Sequence, residues 1–299
     1  SGTTQVDVQI NTNWGRVTRV PTFLSTQQYL SMRKEAFAND NVVPTLANAP
    51  DLLLWDSTAY TDWSKVLVGN TASTWQGQLG LSGGSQWTRF SFSTNYYKET
   101  TVFPTELGTS RYSGRFQVDH QSKDNRLHFS LTSSYSAEDS RLVNTDLTNS
   151  LSLPPNLPDL FDENGNLVWE KGGIGFPNPF RFLKEQFRGR MDRFTTNSVL
   201  SYRVFKGFEL KLSSGFNTLQ LSENSRYPKA AQNPQFANAR SNFANNRTQT
   251  WIIEPQAEYR TTWGNHRIGI LVGGSYQDSR NQLQTIDASG YPNDNVLEG

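Results

Sequence analysis

The sequence predicts an all-β fold: an antiparallel transmembrane β-barrel segment of about nine strands, with short helices in its long extracellular loops. Two observations carry this reading. Stretches of roughly ten residues alternate apolar and polar side chains, as tilted membrane strands require. Four tight turns join such stretches in pairs, while every other connection is long, and that alternation of short and long loops is the barrel signature. The turns are Gly83-Gly84-Ser85-Gln86, Lys123-Asp124-Asn125, Phe205-Lys206-Gly207 and Gly264-Asn265; the long connections are 15–71, 99–109, 138–192 and 222–247.

Taken in order, the first strand runs from Thr4 to Trp14, with Val6, Val8 and Ile10 on one face and Gln5, Asp7, Gln9 and Asn11 on the other. Strands near 72–82, 86–98, 110–121 and 125–137 follow, carrying Leu79, Phe90 and Phe92, Phe116 and Val118, and Phe129 and Leu131 on their apolar faces. The sixth to ninth lie near 193–205, 208–221, 248–263 and 266–279, with Leu200, Leu212, Trp251 and Ile270 among their apolar residues. Directly opposed residues in a hairpin share a face, so the turns predict pairs. These are Leu79 with Phe90, Gly77 with Phe92, Val118 with Phe129, Phe116 with Leu131, Leu200 with Leu212, Tyr259 with Ile270, and Ala257 with Val272. The third turn needs a three-residue loop with Gly207 at positive φ. Pro255, in an apolar position of the eighth strand, predicts a bulge or a weak ladder there. Aromatics fall into two girdles. Trp87, Tyr202, Phe208, Tyr259 and Trp263 stand near the short turns, and Trp14, Trp75, Tyr96, Tyr112, Tyr135 and Trp251 near the other end.

Composition agrees. Only 35% of the 299 residues are hydrophobic and mean hydropathy is −0.63, yet 8 Trp, 11 Tyr and 18 Phe exclude a disordered polymer. A wall whose alternate residues face a wet lumen reconciles the two. The 28 basic and 27 acidic residues leave a net charge of +1, which makes no electrostatic case for nucleic acid. The absence of Cys removes disulfides, thiol nucleophiles and thiolate metal sites. The first strand opens almost at the start of the chain, with no secretion signal ahead of it; this predicts a mature form or a piece of something longer.

The long loops carry local signals. Ser25-Thr26-Gln27-Gln28 reads as a capping box ahead of a helix. A second short helix spans 61–68, started by Asp62. Asn164-Gly165 predicts a type I′ turn between Leu160-Phe161 and Leu167-Trp169. Its Asp and Asn content invites calcium, but Gly165 falls two places too early for an EF-hand loop, and a plain hairpin is favoured. His120, His128 and His266 share no metal spacing; His128 opposes Asp119 on the inner face, where a structural hydrogen bond is predicted. Gly172-Gly173-Ile174-Gly175 lacks the Lys of a phosphate loop. The residues predict no enzyme: no catalytic constellation, cofactor fingerprint or metal site emerges.

Further residues carry a resemblance. Leu24-Ser25-Thr26-Gln27-Gln28-Tyr29-Leu30 with Arg33 and Glu35-Ala36-Phe37, Ala49-Pro50-Asp51-Leu52-Leu53-Leu54-Trp55-Asp56, Tyr60-Thr61-Asp62-Trp63 and Gly69-Asn70-Thr71-Ala72 resemble the first barrel region of SusC/RagA-type TonB-dependent outer-membrane transporters. So do Tyr97-Lys98-Glu99-Thr100-Thr101-Val102-Phe103-Pro104, Leu153-Pro154-Pro155-Asn156 and Trp251-Ile252-Ile253-Glu254-Pro255-Gln256. The resemblance implies a plugged barrel of about 22 strands in the bacterial outer membrane. It also implies energy delivered by the TonB complex through an N-terminal region, a SusD-like lipoprotein as partner, and oligosaccharide or peptide cargo. Against that pattern, residues 1–299 are expected to be a partial barrel domain, with neither plug nor TonB box. An odd nine strands cannot close, so the chain is expected to be roughly the first two-fifths of the barrel, unable to insert or transport alone.

Nutrient import is therefore the leading function, with outer-membrane lipid on one face of the wall. Trp55, Trp63 and Trp169 are candidate cargo or partner contacts; the competing reading packs these rings into the loops' own cores. Arg89, Arg115, Glu254, Glu258 and Arg260 are expected on the inner wall, facing plug or water. A non-transporting outer-membrane barrel (adhesin, structural or protease-type) and a soluble glycan-binding β-protein are the alternatives.

Overall fold

The computed structural model describes residues 2–298. Its main element is an antiparallel meander in chain order: β1 (Gly2–Gly15), β2 (Ala72–Gly84), β3 (Thr88–Thr100), β4 (Gly108–Gln121) and β5 (Leu127–Val143). A small pair, β6 (Glu170–Lys171) with β7 (Ile174–Gly175), stands apart in a loop. The wall continues with β8 (Gln186–Phe205), β9 (Phe208–Tyr227) and β10 (Arg240–Trp263). Both β11 (His266–Gly273) and β12 (Tyr276–Ser289) then pair with β10.

Two hairpin registers match the sequence reading. Leu200 faces Leu212 and Gly207 has φ 89°, but the predicted three-residue loop is corrected: Phe205 pairs with Phe208 across a two-residue turn, and the odd residue is taken up by a register shift between Arg203 and Phe205. Tyr259 faces Ile270 and Ala257 faces Val272. The other two are corrected. Leu79 faces Thr94, four residues from the predicted Phe90, and Leu81 takes Phe92 in place of Gly77. Val118 faces Leu131, two residues from Phe129, and Phe116 faces Ser133 instead of Leu131. Side-chain caps lengthen both loops. Ser85 Oγ accepts the amides of Trp87 and Thr88 at 3.2 Å. Ser122 Oγ accepts from the Leu127 amide at 2.9 Å, and Asn125 turns the chain at φ 57°. Both shifts are even, so every predicted face survives.

At Pro255 the outer ladder weakens as predicted, without a bulge. Gly274 N donates to Pro255 O at 3.1 Å, but proline has no amide to return the bond, and the predicted ninth strand divides into β11 and β12. Opposite, Pro255 stays in register with Leu212. Strands on the loop side outrun the predicted bounds, shrinking two long connections to 144–185 and 228–239.

The outward face is apolar and uncovered, with Val8 69% and Val272 67% exposed. Following the register, its upper aromatics descend strand by strand. Trp14 lies opposite Ser73, two residues beyond Trp75; Trp75 lies opposite Lys98, two beyond Tyr96; Tyr96 faces Tyr112. The descent continues through Tyr135 with Phe194, then Phe216 with Trp251, to Tyr276. Over the whole wall the belt drops ~10 residues, about 33 Å, across about 38 Å of sheet. A level belt therefore requires strands tilted by about 40°, inside the range of membrane barrels. Among the described residues β1 and the β11–β12 line each pair on one side only, so the sheet stays open.

The buried apolar cluster belongs to the loops. Trp55, Trp63, Leu67, Val68, Leu147, Leu151, Leu157, Leu160 and Phe176 form it, and no wall strand contributes.

Candidate functional site

The loop module that crowns the wall is assembled from helices α1 (Thr26–Asn39), α2 (Pro50–Leu53), α3 (Trp63–Val68) and α4 (Arg181–Lys184), with the hairpin between them. The capping box at α1 forms as its sequence demands: the Gln28 amide donates to Ser25 Oγ at 3.3 Å, and the Ser25 amide donates to Gln28 Oε1 at 3.0 Å. Tyr29 and Arg33 then project from one face of α1 onto Asp51 of α2, a carboxylate only 4% exposed. Tyr29 Oη donates to Asp51 Oδ2 at 3.0 Å, and Arg33 Nε donates to the same oxygen at 2.8 Å. Burial, followed by the neighbouring Asp51 carboxylate, pushes the Tyr29 phenol up to about 12. Asp62 caps α3, accepting from the Ser64 and Lys65 amides at 3.1 and 3.3 Å; the Ser64 hydroxyl bond holds its carboxyl below the usual range.

Cross-links bind the first long loop to the third. Trp63 Nε1 donates to Pro154 O at 3.0 Å, Thr61 N to Pro155 O at 2.7 Å, and Asn156 Nδ2 to Asp51 O at 2.9 Å. Asn178 Nδ2 clips Leu160 O and Val168 O at 2.7 and 3.1 Å, closing the hairpin base. The turn at its tip is not type I′. Only Gly165 has positive φ, at 79°, while Asp162 accepts the Asn164 and Asn166 amides at 2.9 and 2.7 Å. An Asx-stabilised turn with a glycine bulge replaces the predicted one.

The three candidate rings separate by environment. Trp63 is 4% exposed and Trp55 9%, the latter edge-on to Phe176 with centroids 6.1 Å apart. Trp169 is half-buried, with the Arg181 guanidinium 5.9 Å from its ring, and Arg181 is held by Glu185 at 2.8 Å. The Asp51 centre was missed as a site from sequence; Tyr29 and Arg33 at helical spacing ahead of a lone Asp was the available signal.

Below the loops, strand alternation puts Arg89, Arg115, Glu254, Glu258 and Arg260 on the face opposite the apolar residues. His128 Nε2 lies 2.9 Å from Asp119 Oδ2, as predicted, although by register the pair is diagonal: Asp119 faces Ser130 and His128 faces Gln121. This wall offers hydrogen bonds and charges of both signs.

No family model matches the chain. It is 23% identical, in an alignment of 302 positions that covers 97% of its length, to TonB-dependent receptor P26 of Formosa agariphila, and 24% identical in an alignment of 260 positions that covers 81% of it to TonB-dependent receptor P3 of the same organism. It spans 29% and 25% of those relatives. Its fold superposes on the RagAB peptide importer in the closed-closed and open-open states with TM-score 0.76 and 18% identity. The match covers 99% of this chain and 37% and 36% of the respective partners. These names are those of receptors and of a transporter, not of enzymes. Sequence and fold together make the chain similar to a stretch of barrel wall from a SusC/RagA-type TonB-dependent transporter.

Proposed function

We propose that this chain supplies part of the wall and outer loops of an outer-membrane transporter that imports oligosaccharide or peptide. Cargo would be handed over by a SusD-like surface lipoprotein, and energy would come from the TonB complex through a plug-bearing region outside the described residues. Residues 1–299 are on this reading a partial barrel domain. The observation that supports it best is the two-faced wall: an uncovered apolar face backs a polar face of Arg89, Arg115, Glu254 and Glu258, beneath a loop module with its own core. A sheet of this kind has lipid on one side and water on the other. Of the three loop tryptophans, Trp169 would offer cargo a ring edge, with Trp55 and Trp63 supporting it from the core.

The test is uptake by cells carrying the full-length protein or lacking it, with labelled oligosaccharides and labelled peptides supplied separately. Loss of uptake of one class on deletion, with a several-fold fall in Trp169→Ala, is the expected result. Unchanged uptake of both classes on deletion would sink the reading.

A further inference from the structure

Charge on the outward face is confined to one zone. By register, the outward positions from the short turns up to the belt of Trp14, Trp75, Tyr96, Tyr112, Tyr135, Phe216, Trp251 and Tyr276 hold no Lys, Arg, Asp or Glu. Beyond the belt charges of both signs begin, with Asp192 and Asp278 two residues past Phe194 and Tyr276 and Asp139 directly opposite Arg190, and the cations are the more numerous. Lys98 lies two residues past Tyr96 on β3, Arg190 four past Phe194 on β8, Arg247 four past Trp251 on β10, and Arg280 four past Tyr276 on β12. With strands tilted by about 40°, four residues rise only about 10 Å. The four cations thus share one band that follows the belt around the wall.

Lys98, Arg190 and Arg247 are exposed and make no ion pair among the described residues. Outward acids nearby are engaged elsewhere. Asp139 takes Arg188 at 2.7 Å and Arg141 at 3.5 Å, Asp192 accepts from Tyr135 Oη, and Asp278 takes Arg280 at 3.0 Å. Arg247 stands between Gln220 and Gln282 in direct register, which adds uncharged donors on both sides. Beside Arg190 lies a shallow depression of ≈ 230 Å³, lined also by Arg188, Arg226 and Asn224 and by two carboxylates, Glu223 and Glu298, of which Glu298 is held by Arg226.

We infer that this band is a headgroup site: Lys98, Arg190 and Arg247 bind the phosphate esters of anionic lipid in the leaflet on the long-loop side. The inference rests on the membrane-wall reading above. Its occupant is lipid because the band is continuous with the lipid-facing surface and stands at headgroup height, where stems lie along aromatics and charged heads reach up. Guanidinium groups match phosphate in a forked geometry, and each cation at an anionic surface adds attraction.

The experiment uses the full-length protein extracted from outer membranes in mild detergent. Native mass spectrometry counts retained lipid after incubation with lipid A, a bis-phosphorylated glycolipid, or with its dephosphorylated form. K98Q/R190Q/R247Q is compared with K123Q/R126Q/K206Q, which removes equal charge at the short turns. Retention of the phosphorylated lipid by the first variant should fall about tenfold or more, with the second behaving as wild type. Equal retention by the first variant, or equal binding of dephosphorylated lipid, overturns the inference. So does displacement by millimolar inorganic phosphate, which would mark a site for the free anion. An alkaline carbonate wash reads the membrane assignment separately: wild-type protein released by the wash overturns that assignment, whereas a variant that stays in the membrane but loses lipid supports the headgroup site.

Discussion

Arg33 forks onto Asp51, with Nε 2.8 Å from Oδ2 and Nη2 3.3 Å from Oδ1, and so ties α1 to α2 across the first long loop. Asp51→Ala removes the shared acceptor of Arg33 and Tyr29 from a nearly closed site. Discounted for the partly open arginine, the loss should be about 2 kcal/mol locally. Hydrogen exchange of the α1 and α2 amides should accelerate about thirtyfold, while the wall strands stay protected.

The same site sets a pH response. The folded loop holds the Tyr29 proton more tightly than the unfolded chain, whose phenol titrates near 10.0. Stability from this group is therefore complete below pH 10 and fades as pH rises towards about 12. Ultraviolet titration should show a phenolate appearing near the upper value that is absent from Tyr29→Phe. A titration curve unchanged by Tyr29→Phe near the upper value would contradict it.

Pro255 withholds one ladder bond opposite Gly274. Pro255→Val restores the donor and should fuse β11 with β12, a gain of about 1 kcal/mol. Slower exchange of the amides at 274–276 would register it. Unchanged exchange would mean that glycine, and not proline, divides the strand.

The two faces make opposite demands within one strand. Leu212→Arg puts a cation on the apolar face and should cost about 2–4 kcal/mol if it meets lipid. Lys211→Leu, one residue away on the inner wall, should cost little. Recovery of folded full-length protein in the membrane fraction compares them; equal recovery would argue against the assigned parity.

How much of this was legible follows from the range of each interaction. Alternation is written residue by residue, so Val6, Leu200 and Ile270 announced their face directly. Ser25 with Gln28, and Asp62 before Trp63, announced helix starts because a cap and its amides lie within one turn. Hairpin register was legible where glycine forced the tip, at Gly207 and Gly264. It was misread where the Ser85 and Ser122 hydroxyls, competing for loop amides, set the loop length. The Arg33–Asp51 pair and the Trp63–Pro154 bond were illegible because they join residues 18 and 91 positions apart. The extension of β8 to β10 beyond the belt was missed for another reason: the added ends of β9 and β10 are mostly polar on both faces, and on β8 the apolar positions, Phe187 and Met191, change to the other face.

Because among the described residues the wall strands below the belt pack against no other layer, a wall residue there answers only to its side and its ladder. Leucine, valine or phenylalanine serve equally on one face, as serine, glutamine or asparagine do on the other. Trp55, Trp63, Leu67 and Leu147 have no such latitude, since each fills space shaped by the rest. Among descendants of this sequence, drift should therefore run fast and class-conserving through the staves, and slowly through the keystones of the crown. That inverts the usual habit of rigid interiors and restless loops.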